Sequence, residues 1–75
     1  MKYRLAPIGK MAQTRRLILH FLTAIGRPAR TSEIRAAVLA QYPEAAINGC
    51  IGELQAAGEI KRLSFERDAL FALRG

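Results

Sequence analysis

The stretch INGCIGELQAAGEIKRL, Ile47 to Leu63, changes its period halfway along. Ile47, Cys50, Ile51 and Leu54 recur at spacings of three and four, which places them on one side of a helix facing a core. Ala56-Ala57-Gly58 ends that helix, because Gly58 can take the left-handed conformation that closes a last turn without steric cost. Glu59-Ile60-Lys61-Arg62-Leu63 then reads as extended. A helix, a glycine stop and a strand follow one another directly.

A chain of 75 residues has room for one small domain. Half of it is apolar and 24% is charged, a globular balance that excludes a wholly disordered chain. One cysteine makes no internal disulfide, and no Cys/His cluster offers a zinc site, so stability is expected from packing or self-association. No apolar run reaches the roughly 18 residues that span a bilayer, and no signal-peptide core is present. The expectation is a soluble, cytoplasmic, nucleoid-associated protein without a cofactor or a membrane partner.

The net charge of +6 is unevenly distributed. Lys2, Arg4, Lys10, Arg15, Arg16, Arg27, Arg30 and Arg35 face only Glu33 in the first 35 residues, a balance of +7. The remainder has four basic residues against five acidic ones, a balance of −1. Such a field attracts polyanions, and nine of the twelve basic residues are arginine, the side chain best shaped to grip phosphate. The competing explanation is solubility alone.

Residues 1–13 mix Lys2, Arg4 and Lys10 with Tyr3, Leu5 and Ile8, while Pro7 and Gly9 interrupt regular structure. They read as a basic arm, able to lie along DNA or enter a minor groove, or else as a frayed end or a strap over a partner subunit. The folded domain is expected from 14 to 75. Thr14 is the expected N-cap of a first helix reaching about Ile25, with Met11 to Gln13 as a possible upstream extension. Leu17, Ile18, Phe21, Leu22 and Ile25 form its core stripe, and Leu19 lies at the edge, where burial would mark a dimer contact. Arg16, His20, Thr23 and Arg27 fall on another face, either simply solvated or a basic contact stripe.

Gly26 closes this helix and Pro28 directs the turn. Thr31 or Ser32 is the expected cap of a second helix whose inward face is Ile34, Ala37, Val38 and Tyr42. A third helix is expected from Pro43 or Glu44 to Ala57, with Ala45, Asn48, Gly49, Gly52 and Gln55 outward. A hairpin follows, with Ile60, Leu63 and Phe65 in one strand, Leu70, Phe71 and Leu73 in the other, and Glu66-Arg67-Asp68 as the turn.

Glu53-Leu54, Gly58, Ile60 and Arg62 resemble the end of the recognition helix and the first wing strand of winged helix-turn-helix proteins. The resemblance covers about Thr14 to Arg74. It implies a mainly α fold with a small β hairpin (α+β), a very short strand before the second helix, and DNA-binding transcription regulators of bacterial or phage type as relatives. It further implies that the third helix meets base edges through Ala45, Asn48, Gly49, Gly52 and Gln55. Arg30, Thr31, Ser32 and Arg35 would meet phosphates near the second helix, and Arg67 would sit at the wing tip. Lys2, Arg4, Lys10, Arg15, Arg16 and Arg27 would add backbone attraction from the arm and the first helix.

This third helix is electrically thin for a base reader: its amides are Asn48 and Gln55, and no basic residue lies between Arg35 and Lys61. Modest affinity as a monomer is therefore expected, with a homodimer on double-stranded DNA as the working species. The alternative is a protein-interaction module that docks a partner on the small-residue face of the third helix. Single-stranded nucleic acid is disfavoured, because most of the five aromatic residues are assigned to the core. No triad, metal set or phosphate loop points to an enzyme, and Cys50, on the inward side, reads as a small buried hydrophobe.

Overall fold

The computed structural model describes residues 9–74. Their order is α1 (Lys10–Ile25), β1 (Ala29–Arg30), α2 (Thr31–Gln41), α3 (Ile47–Ala56), β2 (Ile60–Arg62) and β3 (Leu70–Leu73). This is an α+β winged helix: three helices over a three-stranded antiparallel sheet in the order β1-β3-β2. The very short first strand pairs Ala29 with Phe71 and Arg30 with Leu70. On the other edge of β3, Ile60 pairs with Leu73 and Arg62 with Phe71.

One core joins the elements. Ile18 and Leu22 of α1, Ile34 and Val38 of α2, and Ile47, Cys50, Ile51 and Leu54 of α3 meet Ala29, Ile60, Ala69 and Phe71. The helical spacings of three and four thus converge on the sheet residues that alternate inward. Leu17, Leu19, Phe21 and Ile25 are half-buried around this centre. Gly58, at φ 76°, lets Glu59 N donate to Leu54 O and Gly58 N to Gln55 O, a Schellman closure that turns the chain from α3 into β2. Gly26, at φ 63°, ends α1 in the same region.

Several boundaries differ from the sequence expectation. Helix α1 begins at Lys10, so residues 10–13 are helical and Thr14 is no cap. Thr14 is fully buried in the helix, where its hydroxyl donates to Lys10 O at 2.7 Å and accepts from Ala46 N at 3.3 Å. It therefore ties α1 to the corner before α3. Neither Thr31 nor Ser32 caps α2; both lie within it and Arg30 holds the cap position. The carboxylate of Glu33 accepts from Arg30 N at 2.9 Å. Helix α3 starts at Ile47 rather than at Pro43 or Glu44, because the chain between α2 and α3 forms a turn in which Ala45 N donates to Tyr42 O. Strand β2 ends at Arg62, which leaves Leu63 and Phe65 exposed rather than on an apolar strand face. Among the described residues no helix is long and apolar enough to cross a membrane.

Candidate nucleic-acid interface

Asn48, Gly52 and Gln55 stand at i, i+4 and i+7 on α3, on the exposed face opposite Cys50 and Leu54. They line an open cleft of about 220 Å³ together with Thr31, Arg62, Arg67 and Phe71. Arg62 reaches this cleft through strand alternation. Ile60 is buried beneath α3, and the residue two further along β2 projects on the same side, beyond the core. Sequence reasoning missed Arg62 as a contact residue, although the period of two from Ile60 was the signal for it.

On the opposite flank, Arg35 of α2 donates from Nη2 to Asn48 Oδ1 at 2.8 Å. A guanidinium has no acceptor, so the amide of Asn48 must turn its oxygen to Arg35 and present its NH2 group outward. Arg35, Arg62 and Arg67 have no carboxylate partner among the described residues. They place three cations around the amide-bearing face.

The other expected contacts are differently arranged. Ala45 leaves the outward face, since it lies in the corner before α3 and packs against the core. Gly49 turns toward α1, where a Cβ would come within 3.4 Å of Met11 Cε. Arg15 is paired with Glu53, Arg27 with Glu33 at 3.0 Å, and Arg30 with Glu66 at 2.9 Å. Lys10 and Arg16 are exposed on α1. Lys2 and Arg4, with the rest of the arm up to residue 8, lie outside the described residues. Arg27 and Thr23 line a separate groove with Leu22, Pro28 and Leu73, so the outer stripe of α1 does not join the α3 cleft.

The loop between β2 and β3 is strapped to α2 by its own acids. Asp68 accepts from Ser32 N at 2.8 Å and from Ser32 Oγ at 2.7 Å, and these two bonds hold its carboxyl below the usual range. Thr31 N and Thr31 Oγ1 both donate to Ala69 O. The first turn of α2 is thus satisfied from within the chain. Glu66 and Asp68 are drawn back to the body of the domain, while Arg67 between them lines the cleft. Glu33 is held low chiefly by the Arg27 side chain and then by Arg30 N–H.

Cys50 is fully buried, its Sγ 3.3 Å from Met11 O, and burial pushes its thiol up. It is a core group with no polar role in the cleft. Among the described residues no group of three or more His, Cys, Asp or Glu side chains could hold a metal ion.

No protein-family model and no curated protein matches the sequence. A solved structure of HOP2 is similar in fold, with a TM-score of 0.71 at 16% identity over 81% of this chain and 98% of that one. HOP2 has DNA recognition and protein interaction domains and homologous DNA pairing properties. At this identity the likeness concerns the fold.

Proposed function

We propose that this chain binds duplex DNA by laying α3 in the major groove, with Arg35 on one side and Arg62 and Arg67 on the other meeting the phosphates or base edges that flank it. The observation that carries this reading is the exposed face of Asn48, Gly52 and Gln55 set between three arginines that have no carboxylate partner among the described residues. In this reading the affinity comes from the wing and the α2–α3 flank more than from Arg15, Arg27 and Arg30, whose charges are offset by Glu53, Glu33 and Glu66. The chain acts by occupying its site, as a sequence-specific transcription regulator that performs no chemistry, and it works as a homodimer on two half-sites.

The test is a fluorescence-anisotropy titration of a labelled duplex at several salt concentrations. Each phosphate neutralised adds about 0.9 to the slope of log affinity against log salt, so three or more contacts give a slope steeper than about −2.5. A flat slope removes the backbone contacts.

The competing reading is a protein-docking module built on the small-residue face of α3. It is weakened because Gly49 is already approached by Met11 of the same chain, whereas a Cβ on Gly52 would meet nothing within 4 Å. A protein that binds no DNA at low salt yet captures one specific partner through Gly52 and Gln55 would favour it.

A further inference from the structure

We propose that Phe65 and Arg62 form a stacking site for an unpaired or terminal nucleobase, so that the wing distinguishes a duplex end or a duplex–single-strand junction from continuous duplex. This rests on the DNA-binding reading above and adds a ligand to it.

Phe65 is 87% exposed, the most exposed large apolar side chain among the described residues. The loop that carries it is braced on every side. Arg62 Nε donates to Ser64 O at 2.7 Å and Arg62 Nη2 to Glu66 O at 3.3 Å, which ties down the carbonyls on both sides of Phe65. Ser64 Oγ accepts from Leu70 N at 3.1 Å, Glu66 is paired with Arg30, and Asp68 is bonded to Ser32. A phenyl ring is held out in water on a loop whose neighbours are all engaged.

The guanidinium of Arg62 lies over this ring, its Cζ 5.3 Å from the centroid. One ring face is therefore turned to a cation and the other is open. Insertion between two stacked base pairs needs both faces of a wedge, whereas a base with only one stacking neighbour needs one. Bases of that kind occur at duplex ends, at junctions and in single strands. A partner that stacks on the open face of Phe65 lies beside an exposed guanidinium held at the other face, so the best fit is a π face joined to a group that carries negative charge. A nucleotide supplies both, and an apolar peptide side chain does not. The site is continuous with the α3 cleft, since Arg62 lines both.

The test compares two DNAs of identical duplex sequence. One has its ends closed by flexible non-nucleotide bridges; the other carries a short single-stranded extension with 2-aminopurine at the junction. The wild-type protein is expected to bind the extended DNA roughly five-fold or more tightly than the closed one, with a change in 2-aminopurine emission on binding. Phe65→Ala is expected to lose both the preference and the emission change while keeping its affinity for closed duplex, and Phe65→Trp to retain them. An unchanged preference in Phe65→Ala, or equal binding of the two DNAs by wild type, overturns the stacking site and leaves duplex binding standing. Binding of neither DNA removes both.

Discussion

Arg35 and Asn48, thirteen positions apart, form one donor unit across the α2–α3 corner, with Arg35 Nη2 2.8 Å from Asn48 Oδ1. A lone asparagine that reads adenine needs both its oxygen and its NH2 group. Here Arg35 engages one lone pair of that oxygen and turns the NH2 group outward, so Asn48 is biased toward donating, beside a guanidinium that only donates. The acceptor pair O6 and N7 of guanine is the complementary edge, and Gln55 is the remaining amide able to address adenine in both directions.

Selection of bound sites from random duplexes is therefore expected to return guanine at the position facing Arg35 and Asn48. Arg35→Ala should relax that position at a cost of about 1–3 kcal/mol, whereas Gln55→Ala should relax a different one. Adenine at the Arg35 position would contradict the donor-unit reading.

Asp68 gives the wing its own pH dependence. Its pKa, like that of Glu33, is lower in the folded chain than in the unfolded one, so the associated stability is present above the ordinary carboxylate value. It is lost as pH falls through the lowered folded value. Melting temperatures should be level from neutral pH to about 5 and fall below about pH 4. Asp68→Asn should melt lower than wild type at neutral pH, and the gap should narrow in acid. A constant gap across the range would show that the Ser32 contacts do not depend on the charge.

Thr14→Val keeps shape and removes the fully buried hydroxyl, which takes the partner from the part-buried N–H of Ala46 and releases the corner before α3. Chemical denaturation should show a loss of about 1–3 kcal/mol, while Thr14→Ser, which retains the hydroxyl, should lose less. Equal losses in the two variants would mean that packing, not the hydrogen bond, holds this site.

Thr14 also shows what could be read from the chain and what could not. Core positions and the Leu54, Gly58, Ile60 succession depend on local period and on the backbone freedom of one glycine, and these are written in consecutive residues. Thr14 has the residue type of a cap, yet its hydroxyl is spent on Lys10 inside the helix and on Ala46, 32 positions away. Charge was similarly misleading. Eight basic residues in the first 35 read as one field, but Arg15 meets Glu53 and Arg30 meets Glu66, pairings 38 and 36 positions apart that only the tertiary fold brings about. The exposure of Phe65 was hidden because the strand was extended from Ile60 to include it, whereas β2 ends at Arg62 and Phe65 stands in the loop.

Gly52 separates stability from binding. A Cβ there meets nothing within 4 Å and the residue is helical, so Gly52→Ala should stabilise the fold by about 1 kcal/mol. If α3 approaches DNA closely, the added methyl should weaken binding even as the melting temperature rises. A variant that is more stable and binds equally well would show that nothing comes close to that face. Gly58→Ala should do the opposite to the fold, losing roughly 1 kcal/mol because φ 76° is strained for any side chain.

The account turns on which surface meets DNA, and amide chemical-shift mapping on the isotope-labelled protein titrated with duplex reads this residue by residue. The shifts are expected to cluster on Arg35, on Asn48 to Gln55 and on Arg62 to Arg67, with Thr23 and Ala24 on the far side of α1 unmoved. Shifts confined to Arg16, His20 and Thr23, or no shifts at all at low salt, would contradict it.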